Sequence, residues 1–247
     1  MIAQGQLAVP RGTTTPSNRI LAPLPSDVRL RLQAHLQPTV LRLGEVLYSP
    51  NSVIPYAYFP LTAVVSLHYV LDSGSMSESA AVGREGMVGV ALIMGGDTTP
   101  SWAAVQIAGS AMRLEARVLK QEFRHSAAMQ SRLLRYTLSL MNQVTQTAVC
   151  NRHHSVEQQL CRWLLVTQDR AARGELVVTQ EQIAGALGVR RESVTEAAGR
   201  LQVAGAISYR RGHITVLSRP GLLSFACECY EAVRLESDRL SSPDLVA

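Results

Sequence analysis

The side chains with the clearest chemistry lie between residues 179 and 211. Arg190, Arg191, Glu192, Thr195 and Glu196 open the run Arg190-Arg191-Glu192-Ser193-Val194-Thr195-Glu196-Ala197-Ala198-Gly199-Arg200-Leu201. Val194, Ala197, Ala198 and Leu201 recur at helical spacing and face inward, which leaves Arg191, Glu192, Thr195 and Glu196 outward near the helix start. An arginine so placed can form a bidentate pair with a guanine edge, and a glutamate can accept from a cytosine amino group, both in the major groove of DNA. Further on, Arg210-Arg211-Gly212 sits between two strand-like runs, 206–209 and 213–217. A tight hairpin tipped with arginines suits a phosphate backbone.

A helix that carries readers needs another to hold it. Residues 177–189 supply one: Thr179 with Gln182 makes a capping box, Ile183, Ala184 and Leu187 form the apolar face, and Gly188 supplies the break. Helix, tight turn and second helix, followed by a basic hairpin, constitute a helix-turn-helix with a wing. Thr179, Gln180 and Arg200 complete the expected DNA-contacting set with Arg190, Arg191, Glu192, Thr195, Glu196, Arg210 and Arg211. The competing reading is a solvated charged helix beside a hairpin.

Upstream, residues 126–147 contain neither glycine nor proline. Leu134, Leu138, Met141, Thr145 and Ala148 recur at intervals of four and three, and Leu133, Leu140 and Val144 form a second stripe beside them. Two adjacent stripes describe a long helix with one side on its own domain and one side free for a partner helix, or else an ordinary core helix. A second helix follows, with Val156, Leu160, Trp163, Leu164 and Leu165 as its apolar face.

Between residues 40 and 119, short apolar runs alternate with turns: 40–43, 46–48, 57–59, 64–71 and 80–82, then Val105 with Ile107 and Met112 with Leu114. This spacing predicts an antiparallel roll or barrel. Gly83-Arg84-Glu85-Gly86-Met87-Val88-Gly89 interrupts it with a glycine-rich turn before an apolar, helical stretch at 90–94. Its spacing is neither a dinucleotide fingerprint nor a P-loop, so a phosphate cradle and a plain strand-to-helix turn both remain open. A short helix with Val28, Leu30, Leu32 and Leu36 precedes the roll, stopped by Pro38.

Apolar residues make up 47% of the 247, too many for a disordered chain, and the most apolar runs fall short of a membrane span. No membrane partner is expected. Residues 1–20 read as a flexible leader without a secretory signal, which places the protein in the cytoplasm. Lys plus Arg against Asp plus Glu gives 12 − 8 for residues 1–149, 10 − 6 for 150–220 and 2 − 5 for 221–247. The middle stretch therefore carries as much net positive charge as a segment twice its length, as a nucleic-acid-binding domain would. The predicted organisation is α+β: leader 1–20, roll 21–125, dimerisation helix 126–152, winged helix-turn-helix 153–221, C-terminal helix and tail 222–247.

The cysteines, Cys150, Cys161, Cys227 and Cys229, form no secreted disulfide framework. Cys150, His153 and His154 would share one helical face and could furnish metal or haem ligands, or serve only as structure. Cys227 and Cys229, if both on one helix, diverge too far to chelate. No metal site and no cofactor are expected. His68 reads as an ordinary strand residue. No Ser/His/Asp or paired-carboxylate pattern stands out, so no catalysis is expected.

From residue 21 to 223 the chain resembles the Crp/Fnr family of bacterial transcription regulators. The resemblance rests on Gln182-Ile183-Ala184 through Arg191-Glu192-Ser193-Val194-Thr195, on Gly205-Ala206-Ile207, and on Tyr58-Phe59-Pro60 with the glycine turn at 83–89. It implies a cyclic-nucleotide-binding-like roll, a long dimerisation helix and a C-terminal winged helix, acting on double-stranded DNA as a homodimer and contacting RNA polymerase. Arg191 and Glu192 match the family's base-reading pair and Thr195 a small polar position beside it. Glu196 stands where the family usually has an arginine, and Arg190 where it usually has a serine. The family's cyclic-nucleotide motif, Gly-Glu followed by Arg-Ser or Arg-Thr, has here only Gly86-Met87 and Ser101-Trp102, and the N-terminal cysteines of its iron-sulfur members are missing. Arg84, Glu85, Gly86, Met87, Ser101 and Trp102 are thus the candidates for a degenerate effector pocket, with cyclic AMP independence expected and the effector unidentified. The alternative is a small-molecule or redox sensor whose winged domain contacts protein.

Overall fold

The structure is a computed structural model and describes residues 17–171, 175–210 and 213–242. Helix α1 (Ser26–Gln33) leads into seven strands: β1 (Gln37–Leu41), β2 (Val46–Tyr48), β3 (Tyr56–Pro60), β4 (Val64–Val70), β5 (Met76–Val82), β6 (Trp102–Ile107) and β7 (Gly109–Glu115). They pair antiparallel in two sheets, ordered β1-β7-β3 and β2-β6-β4-β5, which face each other across Leu41, Phe59, Val82, Met87 and Leu114. Pro38 lies inside β1 rather than only ending the helix before it. An edge strand tolerates the missing amide donor. A single 3-10 turn, Val90–Ile93, replaces the expected helix at 90–94.

Two boundaries differ from the expectation. Asn18 and Ile20, assigned to the flexible leader, are buried. Asn18 donates from Nδ2 to the carbonyls of Pro60 (3.1 Å) and Gly86 (2.8 Å), which fixes residues 17–20 against the roll, while residues 1–16 lie outside the described residues. The last part of the segment read as roll is helix α2 (Ala116–His125), whose Val118 and Leu119 close the same core.

Ser126 then caps helix α3 (Ala127–His153) by accepting from Met129 N at 3.2 Å. Met129, Leu133, Tyr136 and Leu140 bury one side of α3 in the roll. Leu134 (53% exposed), Leu138 (44%) and Met141 (56%) occupy the other side, in line with exposed Thr145 and Ala148. Val144, read with the buried stripe, is exposed and belongs with the outer one.

Helix α4 (Val156–Arg170) starts at a capping box made by Ser155 and Gln158. Strand β8 (Glu175–Val177), helices α5 (Gln180–Leu187) and α6 (Arg191–Val203), and strands β9 (Ile207–Arg210) and β10 (His213–Val216) follow, with sheet order β8-β10-β9. Strand β8 is an addition to the elements expected from the sequence. Helix α7 (Arg219–Phe225) spans the boundary drawn at residue 221, and its Leu222 sits in the same core as Leu164, Ile183 and Leu201, so the winged domain continues through α7. Helix α8 (Cys229–Ser241) runs back along α3, where Asn142 donates to Glu236 (3.0 Å) and Arg132 to the Ser241 carbonyl (3.0 Å). Among the described residues, no helix is long and apolar enough to cross a membrane.

Candidate nucleic-acid interface

The two helices of the motif are set by their termini. Thr179 Oγ1 accepts from Gln182 N (3.2 Å) while Gln182 Oε1 accepts from Thr179 N (2.8 Å), which satisfies donors that the first turn leaves free. Gly188 ends α5 at φ +68°, a left-handed conformation costly for a residue with a Cβ. The chain turns there, and α6 starts after Arg190, whose side chain makes no cap. Val194, Ala197, Ala198 and Leu201 are buried, as their spacing required.

Arg190, Arg191, Glu192, Thr195 and Glu196 are exposed together on the first turns of α6. Among the described residues, Arg190, Arg191, Glu192 and Glu196 make no ion pair, so their charges remain available to a partner. Thr195 Oγ1 donates to Gln180 Oε1 at 2.9 Å, and Gln180 N donates to the Tyr209 hydroxyl at 3.1 Å. These bonds tie the start of α5 to both α6 and β9, so Gln180 and Thr195 act partly as spacers of the reading face. Thr179 is exposed at its edge. Arg200 stands apart: its Nε lies 2.6 Å from Glu157 Oε2 of α4, which holds it away from the first turns. Arg210 is exposed at the end of β9, whereas Arg211 and Gly212 lie outside the described residues.

The effector candidates do not gather in one place. Met87 and Ser101 line a cavity of about 300 Å³ in the roll, together with Tyr48, Leu67, Met94 and Thr99, and among the described residues no charged side chain borders it. Burial there pushes the Tyr48 hydroxyl up to about 12. Arg84 and Glu85 instead border a separate cleft between the roll turn, α4 and α8, which also receives Arg19, Arg170, Arg219 and Arg234. Gly86 is pressed against α3, where an added Cβ would fall 2.4 Å from the Tyr136 ring, and the Tyr136 hydroxyl donates to the Met87 carbonyl at 2.9 Å. This packing turns residues 84 and 85 away from the roll cavity. Trp102 stacks on His68, with ring centroids 6.4 Å apart, and is not part of the cavity wall.

Glu85 of the roll turn holds the winged domain. Glu85 Oε1 lies 2.7 Å from Arg170 Nε in an almost buried ion pair, and Arg170 Nη2 donates to Gln143 Oε1 of α3 at 2.9 Å. Glu78, buried on β5, accepts from Trp163 Nε1 of α4 (3.1 Å) and from Gln106 Nε2 (3.0 Å). Burial drives the Glu78 carboxyl above the usual carboxylate range, against the opposing pull of Ser66, Arg170, Trp163 and Arg162. Helix α5 packs on β5, where an added Cβ on Gly185 would meet Met76 Cε. Sequence reading missed this docking surface. Plain alternation misleads here: Ala80 and Val82 pair with Leu67 and Val65 of the roll core, but the register shifts at Ser79, so Glu78 pairs with His68 and turns its carboxylate outward to α4.

Residues 158–225 match the family model of the Crp-like helix-turn-helix domain. Among solved structures, the chain resembles FixK2 from Bradyrhizobium japonicum, with a TM-score of 0.66 at 17% identity over 78% of this chain and 98% of that one. It also resembles a CRP-family transcriptional regulator from Thermus thermophilus (TM-score 0.63, 20% identity, 76% and 96% covered). The c-di-GMP responsive global regulator CLP of Xanthomonas campestris superposes with a TM-score of 0.59 at 17% identity, over 78% of this chain and 100% of that one. No curated protein matches the sequence. The chain has the Crp/Fnr-type transcription-regulator fold, with its helix-turn-helix in residues 158–225.

Proposed function

We propose that the protein is a sequence-specific transcription regulator that binds double-stranded DNA as a homodimer in the cytoplasm, without need of cyclic AMP and without catalysis. The observation that carries the reading is the row of uncommitted polar side chains on the first turns of α6. Arg191 and Glu192 read base edges in the major groove, Arg190 and Arg210 engage phosphates, and Thr195 sits beside the bases with Gln180 behind it. The outer stripe of α3 from Leu134 to Ala148 supports pairing with a second copy, which places two reading helices on half-sites about one turn of DNA apart.

The roll cavity supports independence from cyclic nucleotides. A phosphate taken into a partly buried site needs a countercharge, and among the described residues no charged side chain borders that cavity. Regulation then works through the docking of β5 on α4 and α5, whose bonds from Glu78 and Glu85 relate the roll to the reading helices. Contact with RNA polymerase follows from the same reading.

Selection of bound duplexes from a random pool, followed by titration at physiological salt, tests the proposal. A palindromic consensus bound at least about a thousandfold more tightly than random DNA is expected. Equal affinity for every duplex overturns it, and calorimetric binding of cyclic AMP in the micromolar range overturns the effector reading.

A further inference from the structure

The four side chains Cys150, His154, Cys227 and Cys229 come from two separate stretches of the chain, 150–154 and 227–229, and converge. Cys150 occupies the last turn of α3. His154 follows at its C-cap with φ −108° and ψ 154°, an extended backbone that parts its ring from the exposed His153. Cys227 lies in the link after α7, whose C-cap Ala226 is extended, and Cys229 opens α8. The premise that Cys227 and Cys229 share one helix is therefore corrected: Cys227 precedes the helix that Cys229 opens, and both thiols reach the same cluster. One ligand atom from each of the four residues lies within 4.8 Å of all the others. Cys150 Sγ and Cys227 Sγ are 3.6 Å apart, and Cys229 Sγ is 3.4 Å from His154 Nδ1.

We propose that these residues form a tetrahedral zinc site that clamps the C-terminal helix to the end of the long helix. With Zn–S near 2.3 Å and Zn–N near 2.0–2.1 Å, the corners of such a site are about 3.4–3.8 Å apart. The 3.6 Å and 3.4 Å separations already meet that requirement, and the widest needs to contract by only about an ångström. A haem does not fit among atoms this close. Nor does an iron-sulfur cluster, whose cysteines hold different metal atoms and stand further apart. Three thiolates and one imidazole in a tetrahedral set are the donors that select zinc.

The surroundings complete the site. His154 Nε2 lies 3.3 Å from Glu228 Oε1, so a proton on Nε2 bonds to the carboxylate and leaves the Nδ1 lone pair pointing at the thiols. This carboxylate–histidine arrangement orients imidazoles on zinc. Gln146 Nε2 donates to Cys229 Sγ at 3.0 Å. Zinc with three thiolates carries one net negative charge, and buried Arg162 supplies a cation beside Thr147, one helical turn before Cys150. Arg162 Nη1 is held by Thr147 Oγ1 at 3.2 Å, while its Nε has no hydrogen-bond partner among the described residues. The three cysteines form a buried cluster of their own, separate from the roll core and the winged core, where a metal provides the cross-link that larger apolar side chains provide elsewhere. Binding releases the three thiol protons to solvent and transfers no electrons.

The site does not rest on DNA reading, and its test needs no DNA. The full chain, free of any affinity tag, is prepared anaerobically and reduced, and its metal is measured by mass spectrometry. One zinc per chain is expected; Cys150→Ser and Cys229→Ser lose it, whereas Cys161→Ser, a buried thiol outside the cluster, keeps it. As a second measurement on the unaltered chain, Co²⁺ is added to the metal-free protein. Intense visible bands of tetrahedral thiolate-bound cobalt, saturating at one equivalent and erased by Zn²⁺, are expected, together with faster amide exchange in α8 after chelation. Failure of the reduced chain to develop those bands, or zinc content indifferent to Cys229→Ser, overturns the proposal. So does a Cys150–Cys227 disulfide in acid-quenched cells combined with no Zn²⁺ uptake after reduction.

Discussion

The reading face of α6 and the turn at residues 83–89 both present Arg-Glu pairs, yet the two regions use them in opposite ways. Arg191 and Glu192 are exposed on the first turn of a helix whose apolar residues are spent on its own core. Glu85, by contrast, is held almost buried by Arg170, and its neighbour Glu78 by Trp163. A solvated, uncommitted charge costs nothing to keep and serves a partner. A buried one needs its partner in the same chain, because an unpaired buried charge is expensive. The same residue types therefore mean recognition in one region and domain docking in the other.

The largest effect is expected where neither kind of pair is involved. Leu138→Asp with Met141→Asp places carboxylates at the centre of the outer stripe of α3, where burial against a second copy would leave them unpaired. Light scattering should report monomers, and affinity for a palindromic duplex should fall at least about a hundredfold, since both half-sites no longer act together. An unchanged dimer mass assigns the stripe to some other partner.

The contrast between the exposed Arg191 and Glu192 and the docked Glu85–Arg170 ion pair predicts a crossed outcome. Arg170→Ala should lower unfolding stability by roughly 3 kcal/mol, at the low end for a broken buried pair because both side chains keep some exposure, while leaving the ranking of DNA sequences intact. Arg191→Ala should leave stability within about 0.5 kcal/mol and cost roughly 1–3 kcal/mol on the selected duplex, relaxing one base position. Denaturant melts and competition binding on both variants decide. Equal losses on specific and random DNA for Arg191→Ala would remove its base-reading role.

What was legible in the sequence follows the same division. The capping box at Thr179, the break at Gly188 and the uncapped start at Arg190 are local signals, and each appears where its residues stand. The outer and inner sides of α3 were separable by period alone, apart from Val144. Long-range partners left no such trace. Nothing near Glu78 in sequence announces Trp163, and nothing near Cys150 announces Cys227, because those meetings depend on how α4 and α8 return to the roll and to α3. Reading Cys227 and Cys229 as one helix failed at the start of α8, whose N-cap Glu228 leaves Cys227 outside it. The effector set parted likewise: adjacency at 84–87 put four residues into one pocket, whereas Gly86 is packed on Tyr136, Arg84 and Glu85 border one cavity and Met87 another.

Glu78 gives the docking surface a pH signature. Burial raises its folded-state pKa above the unfolded value near 4.5, so the protonated form is favoured in the folded chain. Its contribution to stability is full below that unfolded value and is lost as pH rises through the folded one. Glu78→Gln removes the titration, and its unfolding free energy relative to the parent should improve as pH rises from 4.5 and level off above the folded-state value. Thermal unfolding of both proteins across that range is the measurement, and a difference that stays constant with pH would mean that Glu78 titrates as an ordinary carboxylate.

The smallest expected effect belongs to the wing. Arg210 is exposed at the end of β9, the strand that Tyr209 anchors to α5, so its guanidinium is carried to a fixed height beside the reading helix. A phosphate contact releases counterions and is blind to sequence, in contrast to the bidentate base contact assigned to Arg191. Arg210→Ala should weaken every duplex alike by a few-fold and lower the slope of log affinity against log salt by about one, leaving the selected consensus unchanged. Salt titrations on the selected duplex and on random DNA provide both numbers. A loss confined to the selected duplex would move Arg210 from the phosphate backbone to the bases.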